Sequence, residues 1–403
     1  MSLESFGQKI GTLIERQYCE VIKTWVELFV PANPAYSVEE TIHLLSMTGA
    51  RNSYVNAVAK NLKTAGHDVQ TGETALGRIR SLQSRELFTD MKQANDAIIN
   101  RAVERDELDG GLVVAMDAHN VYRHTKIPMD ATRKRTASDI RTLRGRKPKN
   151  GTCYAHEYMT VQNVKMRDEP TYVCAFDRVL PLQNTTEIAR GLLRETTAKT
   201  NTSIELVMAD GAFDDIDTLS MFMEEDLSFL VRADQDQRVK RVIEEKGDDY
   251  HIEYSYVKGD TKRHVTANLI VLNVAWLKEH GIKYPLKKKG HITFFTNLSP
   301  DENESEKSFC LRLARYYKKR WGIETGYRDI SDFEAKTHSL SDAVRLFLYL
   351  QAILLYNLWV QINLTFKQDP ERQKHFPDGI PKSTITFLIE QTIQEKVGDT
   401  PDI

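Results

Sequence analysis

Cysteine is scarce in this sequence: four residues in 403, at Cys19, Cys153, Cys174 and Cys310, far apart and with no Cys-x-x-Cys pair. That argues against a zinc ribbon or a disulfide framework and fits a reducing cytosol. Long apolar runs are missing as well. The longest, "AVRLFLYLQAILLYNLWV" over 343–360, is interrupted by Arg345, Gln351 and Asn357, so a buried core helix is expected and not a membrane span. The first residues show no basic segment followed by an apolar one, so no secretory signal is expected, and the expected location is the cytoplasm. Neither sign of charge is in excess. With 55 Lys and Arg against 57 Asp and Glu, the formal net charge of -2 gives no global pull on a polyanion, and any such pull must come from local clusters. No internal repeat or low-complexity tract occurs, which excludes a solenoid.

What remains is ordinary globular material, 41% hydrophobic and 28% charged, too long for one small core. Residues 1–106 lack strand alternation and carry helical spacing. Within them "SVEETIHLLSMTGARNSYVNAVAKNL" reads as helix, glycine turn, helix, opened by a capping box from Ser37 to Glu40. That pattern suits either a helix-turn-helix that enters a DNA groove or a plain helical hairpin. From 107 to 233 the texture changes. "LVVAM" (112–116) reads as a buried strand closed by Asp117; strands follow at 153–164 and 171–180, then a helix from Asn184, a strand over 204–209 closed by Asp210, a helix near 214–224 and a strand at 228–233. The order predicts an α/β fold, a mixed sheet flanked by helices. Residues 234–298 read as a separate β-rich insertion. Residues 299–365 return to helix, and 366–403 form a tail that could serve dimerisation.

Two aspartates thus stand at strand ends, where side chains converge on a crevice. Each alone could simply open a turn, and "ADGAFDD" holds Asp214, Asp215 and Asp217 as rivals for Asp210. A third acid is the more telling one. Between Arg312 and Arg328 the chain carries Arg312, Arg315, Lys318, Lys319, Arg320 and Arg328, with Glu324 as its single acid, unlike the mixed charges of a solvated helix. Tyr317, Arg320, Glu324 and Arg328 are spaced by three, four and four residues and share one face of a continuous helix. Three converging carboxylates can hold two divalent ions about 4 Å apart, the arrangement that cleaves phosphodiesters, and oxygen-only ligands select magnesium or manganese. A second basic cluster lies at 122–151, with ten Lys or Arg, among them Arg133, Lys134, Arg135, Arg144 and Arg146, against two Asp. It suits nucleic-acid phosphates or a solvated loop.

"VVAMDAHN", "VMADGAFDD" and "YYKKRWGIETGYRD" resemble the three acidic motifs of the DDE transposases of bacterial and archaeal insertion sequences. In the branch resembled, the last motif runs Tyr, two residues, Arg, three residues, Glu, six residues, Lys. Here Tyr317, Arg320 and Glu324 match, and Ser331 stands at the Lys position, with Arg328 or Lys336 as substitutes. The resemblance covers 112 to about 362. It implies an RNase H-like core with a β-rich insertion, and two Mg or Mn ions held by Asp117, Asp210 and Glu324. It also implies that Tyr317 and Arg320 contact phosphates near the element end, while the positive charge of Arg328, Lys318, Lys319 and the 122–151 segment suits further contacts with the DNA backbone. Trp276 would be a candidate to stack on a flipped base. The implied partners are element ends and target DNA, engaged by a homodimer. A nuclease without joining activity, or a catalytically silent DNA-binding regulator, stays open from the sequence.

Overall fold

The computed structural model describes residues 16–28, 35–108, 110–123, 144–149, 152–164, 171–284, 290–367, 380–382 and 384. In chain order the helical elements at the start are α1 (16–25), α2 (Val38–Ala50), α3 (Val55–Thr64), α4 (Gly72–Arg80) and α5 (Ser84–Val103). Next come β1 (Leu112–Tyr122), β2 (Arg144–Lys149), β3 (Thr152–Asn163), β4 (Val173–Val179), α6 (Thr185–Thr200) and β5 (Ile204–Ala209). They are followed by a 3-10 turn (Gly211–Phe213), α7 (Ile216–Glu224), β6 (Phe229–Arg232), α8 (Gln237–Lys246), β7 (Tyr250–Gly259) and β8 (His264–Asn273). The last are α9 (Val274–Glu279), β9 (His291–Thr296), α10 (Glu306–Ser331) and α11 (Asp342–Lys367). Two compact units result, one of residues 1–107 with 325–403 and one of 108–324.

The helical unit is built on capped starts. Ser37 caps α2, accepting from the Glu40 N–H at 3.1 Å while the Glu40 carboxylate returns to the Ser37 N–H, as the sequence predicted. Arg78, buried on α4, donates to the Ser37 carbonyl at 2.8 Å and to Thr41 Oγ1 at 2.7 Å, pinning the start of α2. A Cβ on Gly49 would meet the Phe333 carbonyl at 2.9 Å, so the glycine read as a turn is a close-approach site in the last turn of α2. Helix α11 packs on α2, α4 and α5, and Gln351 donates to the Leu45 carbonyl at 2.6 Å. The segment Asp342–Thr365 has the length and composition of a membrane span, yet 94% of its most apolar window is buried within the protein, as expected for a core helix.

The second unit is one nine-stranded mixed sheet in the order β2-β3-β1-β5-β6-β9-β8-β7, with β4 sharing the outer edge of β3 with β2. The run β4-β3-β1-β5-β6, antiparallel and then parallel, has the RNase H-like order expected. Two expectations are corrected. Residues 234–298 do not form a separate β-rich body, because β9 pairs with β6 and carries β8 and β7 into the same sheet. They also contain α8 and α9, capped by Asp236 and Asn273. Helix α10 lies on one face of this sheet. Its Phe309, Leu313 and Tyr317, at helical spacing, are buried with Met208, Leu230, Ile270 and Phe294. Each such side chain contributes about 1.5–3 kcal/mol of burial.

Candidate active site

The sheet register brings the two aspartates together. β1 and β5 run parallel with Met116 opposite Ala209, so Asp117 and Asp210 are the next residues on neighbouring strands. Alternation along β5 puts Asp210 on the face of Leu206 and Met208, the face that α10 covers. Asp117 does not close its strand as expected. β1 continues to Tyr122, paired with β3 only, so Asp117 sits mid-strand at the point where β5 turns away. Asp210 does begin a turn, its Oδ1 accepting the Ala212 N–H at 2.9 Å.

Helix α10 supplies the third acid. It runs unbroken through Gly322 and Gly326, so the buried stripe Phe309, Leu313, Tyr317 continues as Arg320 and Glu324. The Arg320 side chain is 4% exposed; its Nη2 donates to Glu324 Oε1 at 3.0 Å, and its Nη1 lies 3.6 Å from Asp117 Oδ2. The guanidinium also stands 5.1 Å over the Tyr317 ring. Burial works against its charge, but Tyr317, Asp117, Asp210 and Glu324 outweigh burial and hold its pKa above the ordinary value. Burial, and then the charge of Asp210, push Asp117 up to about 7 against the pull of Arg320 and the Ala118 N–H. Burial likewise pushes the Tyr317 hydroxyl to about 12.

The rivals of Asp210 have other duties. Asp214, its side chain 1% exposed, pairs with Lys258 at 2.8 Å and accepts the Asp234 N–H at 2.7 Å; burial lifts it to about 6. Asp215 caps α7 through Thr218, and Asp217 pairs with Arg263. Of the basic residues on α10, Lys318 and Arg328 are exposed and Lys319 is half-buried. Ser331, at the position of the signature Lys, ends α10 and donates to the Tyr327 carbonyl at 2.8 Å. Arg133, Lys134 and Arg135 lie outside the described residues; Arg144 and Arg146 are on β2, whose side chains lie outside them too.

Trp276 is corrected. It is 5% exposed in the first turn of α9, packed against Tyr250 and His280 with ring centroids 5.1 and 4.7 Å away, so it is a core residue and offers no open face to a base. Two features were missed in the sequence. Arg232, on β6 in the same face alternation as Leu230, bears electrostatically on Tyr317. The rows Asp117-Thr160-Phe176 and His119-Tyr158-Arg178 put Arg178 on the Asp117 face, where its Nη2 is 2.5 Å from His156 Nδ1. Polar residues at inward positions of otherwise apolar strands were the available signal.

Asp117, Asp210 and Glu324 offer oxygen donors only, the chemistry of a hard-cation site, and the upward push on Asp117 comes first from burial and then from the neighbouring charge of Asp210. Among the described residues, no three His, Cys, Asp or Glu side chains are close enough to ligate one ion; a guanidinium lies between two of the acids.

A family described as the transposase DDE domain matches residues 109–358. No curated protein matches the chain. Among solved structures, the chain is similar to a piggyBac transposase, solved as a synaptic complex with hairpin DNA. The identity is 12%, with a TM-score of 0.59 over 98% of this chain and 82% of that one.

Proposed function

The chain belongs to the transposase DDE domain family, and on that premise we propose that it cuts the ends of a mobile DNA element and joins them to target DNA. Asp117, Asp210 and Glu324 are the acids of one active site in this reading. The observation that carries it is the register of β1 and β5, which sets Asp117 beside Asp210, together with the Arg320 fork that ties Asp117 to Glu324.

In the proposed mechanism Asp117, Asp210 and Glu324 would hold two magnesium or manganese ions, and the ions, when bound, would supply Lewis-acid activation of a water or a DNA 3′ hydroxyl. The protein's own part is positional. The sheet fixes Asp117 and Asp210 on adjacent strands, and the buried stripe of α10 fixes the height of Glu324 against them. Tyr317 and Arg320 come from the same face of α10 as Glu324, and the guanidinium can donate to a phosphate there. Exposed Lys318 and Arg328 on α10 add sequence-independent attraction for the DNA backbone. Cutting two ends in one complex calls for two copies of the chain, so a homodimer on DNA is part of the proposal.

A strand-transfer assay with pre-cut element ends, in Mg or Mn, tests this. Wild-type protein should give joined product, and Asp117→Asn, Asp210→Asn and Glu324→Gln should each lose it while still retarding DNA in a gel. Losing several kcal/mol of charge stabilisation corresponds to about a thousandfold in rate. Nicking without joining would leave a nuclease; unaffected rates in all three variants would remove the site.

A further inference from the structure

The Arg320 guanidinium is buried among acids, yet its donors are poorly used. Among the described residues, Nη2 donates to Glu324 at 3.0 Å, while Nη1 faces Asp117 across 3.6 Å, beyond hydrogen-bond length. Among the described residues, Nε and Nη1 find no hydrogen-bond acceptor although the side chain is 4% exposed. A buried arginine ordinarily satisfies its five donors, and leaving them open costs stability. Its position is explained by charge: the guanidinium is a cation set between the carboxylates of Asp117 and Glu324.

Building on the reading of these acids as metal ligands, we propose that Arg320 is the resident counter-cation of the site and competes with divalent ions for Asp117 and Glu324. Ion entry and release of the guanidinium are then one exchange. The freed fork, with its unused N–H groups, becomes available to a DNA phosphate only once ions have replaced it, so metal loading and grip on the DNA are coupled. Glu324 is suited to the exchange, because its side chain is 59% exposed and can swing without disturbing the helix. Asp117, 16% exposed on a paired strand, is the fixed partner.

The test is Mn2+ binding to DNA-free, full-length protein at pH 8, read by the loss of the free-ion paramagnetic resonance signal. Arg320→Gln, which removes the charge and keeps the length, should bind Mn2+ at least about tenfold more tightly than wild type, since a like charge a few ångströms away is gone. Arg320→Lys, which keeps the charge, should bind as wild type does. Adding Asp117→Asn to Arg320→Gln should abolish the gain, which assigns the ions to this pocket. In the absence of metal, Arg320→Gln should also melt at lower temperature than wild type, because two acids then face each other, and Mn2+ should restore the loss. The proposal is overturned if Arg320→Gln binds Mn2+ no more tightly than wild type while Asp117→Asn and Glu324→Gln weaken binding; the acids would then hold metal without competition. If those two variants leave Mn2+ binding unchanged, the metal-ligand reading fails and this inference with it.

Discussion

Asp117 and Asp210 stand side by side one residue beyond the Met116–Ala209 pair, where two parallel strands separate. Two carboxylates in that relationship repel, and the sheet holds them together at a cost in stability that a function must justify.

Neutralising one of them should therefore stabilise the metal-free protein. Asp210→Asn keeps the turn, because Asn caps the Ala212 N–H as Asp does, and removes the repulsion. We expect a gain of roughly 1 kcal/mol in denaturant unfolding with EDTA present, alongside lost strand cleavage. Equal or lower stability would show that the acids do not strain the fold.

Lys258 is the partner of Asp214, whose side chain is 1% exposed. Lys258→Met should cost about 3–5 kcal/mol by leaving that carboxylate buried without its cation. Because burial has already lifted Asp214 to about 6, protonation relieves the defect, so the loss should be smaller at pH 5 than at pH 8. The double variant with Asp214→Asn should recover most of it, and calorimetric unfolding at the two pH values checks both statements.

Glu334 gives the helical unit a pH dependence of definite sign. Burial pushes it to about 7 against the pull of Arg345, above the 4.5 of an unburied Glu. The folded state then binds the proton more tightly than the unfolded one, so stability is fullest below about 4.5 and falls as pH rises through 7. Glu334→Gln should match wild type near pH 4 and exceed it by roughly 3 kcal/mol at pH 8, the worth of such a shift. Parallel pH–stability curves for the two proteins would contradict the assignment.

Trp276→Ala should behave as a core truncation. Deleting a large aromatic from the cluster around Tyr250 and His280 is expected to cost about 3–5 kcal/mol, whereas Trp276→Phe should cost much less and retain DNA cleavage. Loss of cleavage in a fully stable Trp276→Phe would point instead to contact with a base.

The acids were legible because their neighbours are chemically distinctive: an apolar run before Asp117, another before Asp210, and one acid among six bases before and after Glu324. The true extent of β1 was not. Beyond Met116 that strand pairs on one side only and carries half-buried polar residues, so its hydrophobic signal stops while its backbone ladder continues to Tyr122. The place of β7 to β9 was hidden for a different reason. Alternation marks a strand but not its neighbour, and the pairing of Leu230 with Thr296 joins residues far apart in the chain. Helix α8 was passed over as strand although Asp236, whose Oδ1 accepts the Arg238 and Val239 N–H groups, is a good helix opener. Arg320 was placed correctly on the face of Glu324, but spacing along one helix says nothing about reach to Asp117 on another element.

The unbroken run of α10 bears on which changes in chain length the family fold can absorb. A residue deleted between Phe309 and Tyr317 would turn everything downstream by about 100° and draw it back by about 1.5 Å. Tyr317, Arg320 and Glu324 would swing off the sheet together, whereas the irregular stretch from 297 to 305 just before the helix could lengthen or shorten without moving them.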